Sequence, residues 1–161
     1  MTEKIFTNCF LVRRDGERIS EVCLGMKKRG FGNGLWNGAG GKPDVGETLD
    51  GAAKREVGEE FGVEVTKMEK RGEFHFVLKQ EEMEAIMHAF LVSEWEGEPT
   101  ETEEMAPRWF KVEEVPYGEM WKSDREFLPR LFAGEKIRGH YVFEKEGGEV
   151  LESEVKVVEE F

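Results

Sequence analysis

Seven glycines fall within the twenty residues from Lys27 to Gly46, at positions 30, 32, 34, 38, 40, 41 and 46. Glycine weakens the interior of both helices and strands, so the stretch reads as a long loop, and long loops inside folded chains tend to carry function. Regular patterns flank it. Apolar runs over 6–13 and 19–26, separated by Arg14-Asp15-Gly16, predict a β-hairpin. After the loop, Thr48 offers a cap for a helix ending near Phe61, with Gly62 as its stop. Strands are expected over 73–79, 85–93 and 108–112, with an acidic loop over 94–105. Phe127, Leu128, Leu131 and Phe132 predict a second helix over 124–132, interrupted or bent at Pro129. Segments 141–145 and 150–158 around Gly147-Gly148 predict a closing hairpin.

Composition narrows the role. The chain has 161 residues, 35 acidic against 23 basic, for a formal charge of −12 at pH 7. One domain over 1–161 is expected at this length. A hydrophobic share of 39%, with 12 Phe and 4 Trp, excludes a disordered acidic tail. Such an anionic chain repels nucleic-acid backbones and anionic membranes, so neither a nucleic-acid polymer nor a membrane is an expected partner. Two cysteines, Cys9 and Cys23, give no disulfide framework. The amino terminus lacks a signal-peptide pattern, and no stretch approaches the roughly 18 apolar residues of a membrane span. A monomeric, cytoplasmic protein is the expectation.

The chemistry concentrates after the loop, in GKPDVGETLDGAAKREVGEEFGV from Gly41 to Val63. At about 100° per residue, Glu56, Glu59 and Glu60 share one helical face, beside an apolar stripe of Leu49, Ala53, Val57 and Phe61. Acidic helix faces are commonly just solvated. Here three carboxylates crowd against a buried stripe, and such a group is stabilised by hard divalent cations such as Mg²⁺. Phosphate chemistry follows from that donor set.

The segment resembles the Nudix box, G-x5-E-x7-R-E-U-x-E-E-x-G-U with U aliphatic. Gly41, Glu47, Arg55, Glu56, Val57, Glu59, Glu60, Gly62 and Val63 match at every fixed position. The resemblance implies an α/β fold, an α/β/α sandwich with a mixed β-sheet. It also implies Mg²⁺- or Mn²⁺-dependent hydrolysis of a nucleoside diphosphate linked to another group. It makes Glu56 and Glu60 the principal metal ligands, Glu59 a further ligand or base, and the Gly40 carbonyl another ligand. Arg55 orients a glutamate, Glu47 supports the loop, and Glu104 adds a carboxylate that is both catalytic and metal-binding.

Resemblance extends to LGMKKRGFGNGLWNGAGGK (24–42) and EMAPRWFKVEEVPYGEMW (104–121). Both are similar to the MutT-homologue branch of the family, which removes oxidised purine nucleoside triphosphates such as 8-oxo-dGTP and 2-hydroxy-dATP. That implies a small-molecule nucleotide partner. Asn37 then bonds the base, Trp121 stacks on it and Asp124 meets the purine edge. Phe31, Phe76 and Met105 line the pocket, with Thr7 and Lys27 towards the sugar. The basic triplet Lys27, Lys28 and Arg29 is expected to steer the triphosphate. Three positions depart from the branch: Ser123 stands where a first aspartate precedes Asp124, Asn8 replaces a pocket leucine, and Ala85 replaces a pocket methionine. Altered base selectivity and a more polar, roomier cavity are expected.

Overall fold

Along the first strand Phe10 and Val12 alternate with Cys9 and Leu11, and all four are buried. Successive side chains of a strand point to opposite faces, so this strand needs cover on both. The computed structural model, which describes residues 2–161, provides it with one helix per face. The strands are β1 (Thr2–Asp15), β2 (Arg18–Lys27), β3 (Trp36–Asn37), β4 (Glu64–Leu78), β5 (Met83–Glu96), β6 (Met105–Lys111), β7 (Ile137–Phe143) and β8 (Val150–Val157). Helix α1 spans Leu49–Phe61 and α2 spans Asp124–Phe132. In the mixed sheet, β1–β5 and β4–β7 pair in parallel, and the remaining pairs are antiparallel.

On one face, Ala53, Val57 and Phe61 of α1 pack with Cys9, Leu11, Cys23, Phe90 and Val92. On the other, Phe127, Leu128 and Leu131 of α2 join Phe10, Phe74 and Tyr141. This is the expected α/β/α sandwich. Cys9 and Cys23 are free and buried, and burial pushes both thiols up, Cys23 to about 12.

Several details differ from the sequence reading. Strand β7 runs over Ile137–Phe143 rather than 141–145. Strand β4 begins at Glu64, not near 73, because register shifts at Val65/Lys67, Lys67/Met68 and Lys70/Gly72 break the two-residue alternation that would have revealed it. Strands β5 and β6 extend to Glu96 and from Met105, which shortens the acidic loop. Pro129 does not interrupt α2: it lies on the exposed side of the helix, as does Arg125, the residue four positions earlier that its missing N–H would have met. Nor is the glycine-rich stretch loop throughout. Beyond the Leu11–Cys23 pair, residues 36–41 run between β1 and β2. Gly25 pairs with Asn37 and Met26 with Trp36, while Cys9 and Ala39 exchange N–H···O bonds of 2.6 and 2.9 Å and the Thr7 N–H reaches the Gly41 carbonyl at 2.8 Å. A side chain at Gly40 would run into the Thr7 carbonyl, and one at Gly38 into Asn8 and the Cys9 carbonyl. The glycines therefore permit a wedge between two strands, and this wedge brings the loop to α1.

Candidate active site

Helix α1 starts as its sequence dictates: Thr48 Oγ1 accepts the Gly51 N–H at 3.0 Å, and Gly62 closes the helix at φ 73° with its N–H on the Gly58 carbonyl. Glu60 is 3% exposed, and its Oε1 accepts the Gly40 N–H at 2.7 Å. Burial raises its carboxyl to about 7; the neighbouring Glu56 and Glu104 charges add to the rise, while the Gly40 bond and Lys27 oppose it. Burial also raises Glu56, against the pull of Arg55. Glu59 is more exposed and meets Arg55 Nη1 at 3.3 Å. A methyl at Gly41 would lie 2.6 Å from the Glu56 carboxyl carbon, so the wedge passes directly over that carboxylate.

Arg55 ties the group together. Its Nε and Nη2 donate to the two oxygens of Glu47 at 2.9 Å each, and Nη1 donates to Glu56 Oε1 at 2.9 Å. The fixed guanidinium fork suits this bidentate grip. It holds Glu47 down to about 2, and Glu47 Oε1 also accepts the Asp44 N–H. Glu47 thus braces the loop and Arg55 aims Glu56.

Glu104 reaches α1 through Thr102. The Thr102 hydroxyl donates to the Glu60 carbonyl at 2.9 Å and accepts the Glu104 N–H at 3.2 Å. The Glu104 carboxylate itself is held by Arg29, at 2.5 Å from Nη2, which keeps it below the usual range. Lys28 pairs with Glu101, and Arg29 also meets Glu103. Two cations of the basic triplet are therefore consumed by the acidic loop. Within the triplet Lys27 alone has no ion-pair partner among the described residues, which corrects the expectation that all three cations steer the triphosphate.

A cleft with about 890 Å³ of empty space, solvent at its mouth included, opens beside these carboxylates. Thr7, Lys27, Phe31, Asn37, Phe76, Met105, Trp121 and Asp124 all line it, as do Gly40 and Gly41. Phe31, 42% exposed, lies at 5.3 Å from the Trp121 ring, and Trp121 stands edge-on to Phe143. Asn8 and Ala85 line the cleft too, so both departures fall within it. The Asn8 amide donates to Asn37 Oδ1 at 2.9 Å, and Asn37 Oδ1 also accepts the Gly38 N–H. Asp124 is 4% exposed and its Oδ2 is buried without a hydrogen-bond partner. Burial raises its carboxyl to about 8, with a weak opposing contact from the buried Ser123 hydroxyl at 3.5 Å. Burial thus favours the neutral, protonated form of Asp124.

Sequence reasoning missed Phe6, Leu78, Met83 and Met87, which complete the apolar lining. The signal was available in the pleat: Leu78 is two residues from Phe76, and Met83 and Met87 flank Ala85 at the same spacing, so each shares a known lining residue's face.

The Gly40–Gly41 loop joins the carboxylates to the aromatic cleft, since both glycines line the cleft while Gly40 donates to Glu60 and Gly41 lies against Glu56. Residues 5–131 match the NUDIX domain model. The mouse protein named oxidized purine nucleoside triphosphate hydrolase is 45% identical over 125 residues, covering 76% of this chain and 79% of that protein. Its zebrafish namesake is 39% identical over 145 residues, covering 89% and 88%. Among solved structures, a mutator MutT protein from Bacillus halodurans superposes with a TM-score of 0.80 at 28% identity, covering 95% of this chain and 97% of that one. With the box intact on α1 and the match running through most of the chain, this protein belongs to the Nudix hydrolase family.

Proposed function

We propose that this enzyme hydrolyses oxidised purine (deoxy)nucleoside triphosphates, 8-oxo-dGTP and 2-hydroxy-dATP, to the monophosphate and pyrophosphate. The observation that carries the reading is the position of Gly40 and Gly41: they line a cleft that also holds Phe31, Trp121 and the buried Asp124, while Gly40 donates to Glu60 and Gly41 lies against Glu56. The mouse and zebrafish relatives carry that activity in their names, and so does an 8-oxo-dGTP diphosphatase from Haemophilus influenzae at 32% identity over 92 residues.

The donor set fits a hard divalent ion. Glu60 and Glu56 are carboxylates pushed upwards by burial, a state that a cation relieves, and every donor is oxygen. Glu56, Glu60 and the Gly40 carbonyl would hold Mg²⁺ or Mn²⁺, with Glu59 and Glu104 at the edge. When bound, the ion supplies positive charge to the phosphate oxygens and makes water more acidic. Glu59, the more exposed carboxylate, would take the proton of the attacking water. Arg55 holds Glu56 in position, and Lys27 meets the phosphates at the junction of cleft and helix. Asn37 offers its amide to the base and Asp124 its acid proton, while Trp121 and Phe31 enclose the flat ring.

A monomer in a reducing, cytoplasmic setting is the proposed state, and two buried free thiols suit such a setting. Hydrolysis rates for 8-oxo-dGTP, 2-hydroxy-dATP, dGTP, dATP and ADP-ribose, with product identification, test the reading. Preference for the oxidised purines and release of pyrophosphate are expected; dominance of ADP-ribose overturns it. Glu56→Gln is expected to abolish Mg²⁺-dependent turnover with the fold intact.

A further inference from the structure

On the face of the sheet opposite the cleft, four adjacent strands bring together two glutamates and two histidines. Glu3 of β1 pairs directly with Glu84 of β5, and His75 of β4 pairs with His140 of β7, in the strand order β1-β5-β4-β7. Phe74, Phe76 and Ala85, which alternate with these residues, point to the cleft side. His75 Nε2 is 3.4 Å from Glu84 Oε1, and one ligand atom each from Glu3, His75 and Glu84 lie within 4.8 Å of one another. The His75 and His140 rings stack at 5.0 Å, with their Nδ1 atoms 2.9 Å apart.

Two carboxylates side by side repel, and among the described residues no lysine or arginine pairs with Glu3 or Glu84. When His75 donates its Nδ1–H to His140, its Nε2 lone pair is turned to the Glu84 carboxylate, 3.4 Å away, with Glu3 beside it. A shared cation relieves that arrangement. The arrangement is also the pattern of metal-ligating histidines, whose second ring nitrogen is held by a hydrogen bond. A separation of 3.4 Å is about that of two ligands at roughly 2.1 Å from a tetrahedral ion. We propose that Glu3, His75 and Glu84, with His140 orienting His75, form a second metal site for a divalent transition ion of the Zn²⁺ type, tying the start of β1 to β5 and β4. Imidazole among the ligands favours Zn²⁺ over Mg²⁺. The site is separate from the α1 carboxylates: Glu3 precedes Thr7, which bonds Gly41, by four residues, roughly 13 Å along β1.

Zn²⁺ titration calorimetry on the full chain, in a Glu56→Gln/Glu60→Gln background with excess Mg²⁺, tests the site. One Zn²⁺ per chain is expected, with affinity falling at least tenfold on adding His75→Gln or Glu84→Gln. In histidine-ring NMR spectra Zn²⁺ is expected to shift His75 and His140 and to leave His88 in place. Unchanged affinity in both variants, or no shift of the His75 ring, overturns the proposal. Should the strand substitutions unfold the chain, Glu3→Gln at the exposed end of β1 carries the same test. His75→Gln in the otherwise natural protein is expected to keep Mg²⁺-dependent turnover within twofold, which separates this site from the catalytic one.

Discussion

Gly40 and Gly41 are neighbours, yet a methyl group at each meets a different part of the protein. At Gly40 it collides with the Thr7 backbone, which cannot move without opening the wedge between β1 and β2. Gly40→Ala is therefore expected to lower stability by about 1–3 kcal/mol, read as a drop in the denaturation midpoint. At Gly41 the atoms nearest the methyl are those of the Glu56 carboxylate, the end of a side chain. Gly41→Ala should leave the midpoint nearly unchanged while kcat falls on the order of a hundredfold, because a displaced carboxylate no longer holds the reacting geometry. Asp124 makes a separate test through pH. Its folded carboxyl titrates at about 8, far above its ordinary value of 3.8, because it is buried. The native state therefore holds a proton that the unfolded chain releases above about pH 4, and stability falls as pH rises from there through about 8. Asp124→Asn removes the titration. Its melting temperature relative to the natural protein is expected to climb between pH 4 and pH 8, by an amount on the order of a few kcal/mol in stability. Parallel melting curves across that range would sink the assignment.

Helix α1 shows why some elements can be read from sequence and others cannot. Thr48, Gly62 and the stripe of Ala53, Val57 and Phe61 are local signals, each acting within a turn or two of its own position, and the observed helix has the limits they imply. Thr48→Ala is expected to cost about 1 kcal/mol, since it removes the bond to the Gly51 N–H. The start of β4 had no such signal. Its polar residues pair across irregular register with β5, and only that partner, distant in sequence, makes them a strand. Residues 36–41 were opaque for a related reason: Gly38 and Gly40 look like loop glycines until the approach of Thr7 and Cys9 explains them. The cleft divided the same way. Residues named from the resemblance, such as Asn37, Trp121 and Asp124, line the cleft. Leu78 and Met83 needed the β4–β5 register, and the diversion of Lys28 and Arg29 to Glu101 and Glu104 needed the fold of the loop.

At the scale of the whole molecule, a charge of −12 disfavours the compact state through self-repulsion, and monovalent salt relieves part of it by screening. With the proposed site, Mg²⁺ is expected to act in two ways at once, screening like any salt and binding at Glu56 and Glu60. The two effects separate by subtraction. In NaCl and MgCl₂ solutions of equal ionic strength, without nucleotide, the melting temperature is expected to be higher in MgCl₂. An ion present at a hundred times its dissociation constant stabilises the native state by about 2.7 kcal/mol. At about 2 to 4 °C per kcal/mol for a chain of this size, the excess should amount to several degrees. In Glu60→Gln the excess should vanish while the NaCl response persists, because surface repulsion is nearly unchanged and the buried ligand is gone. An equal Mg²⁺ excess in both proteins would mean that the ion binds the general acidic surface, and that the α1 carboxylates are not the metal site.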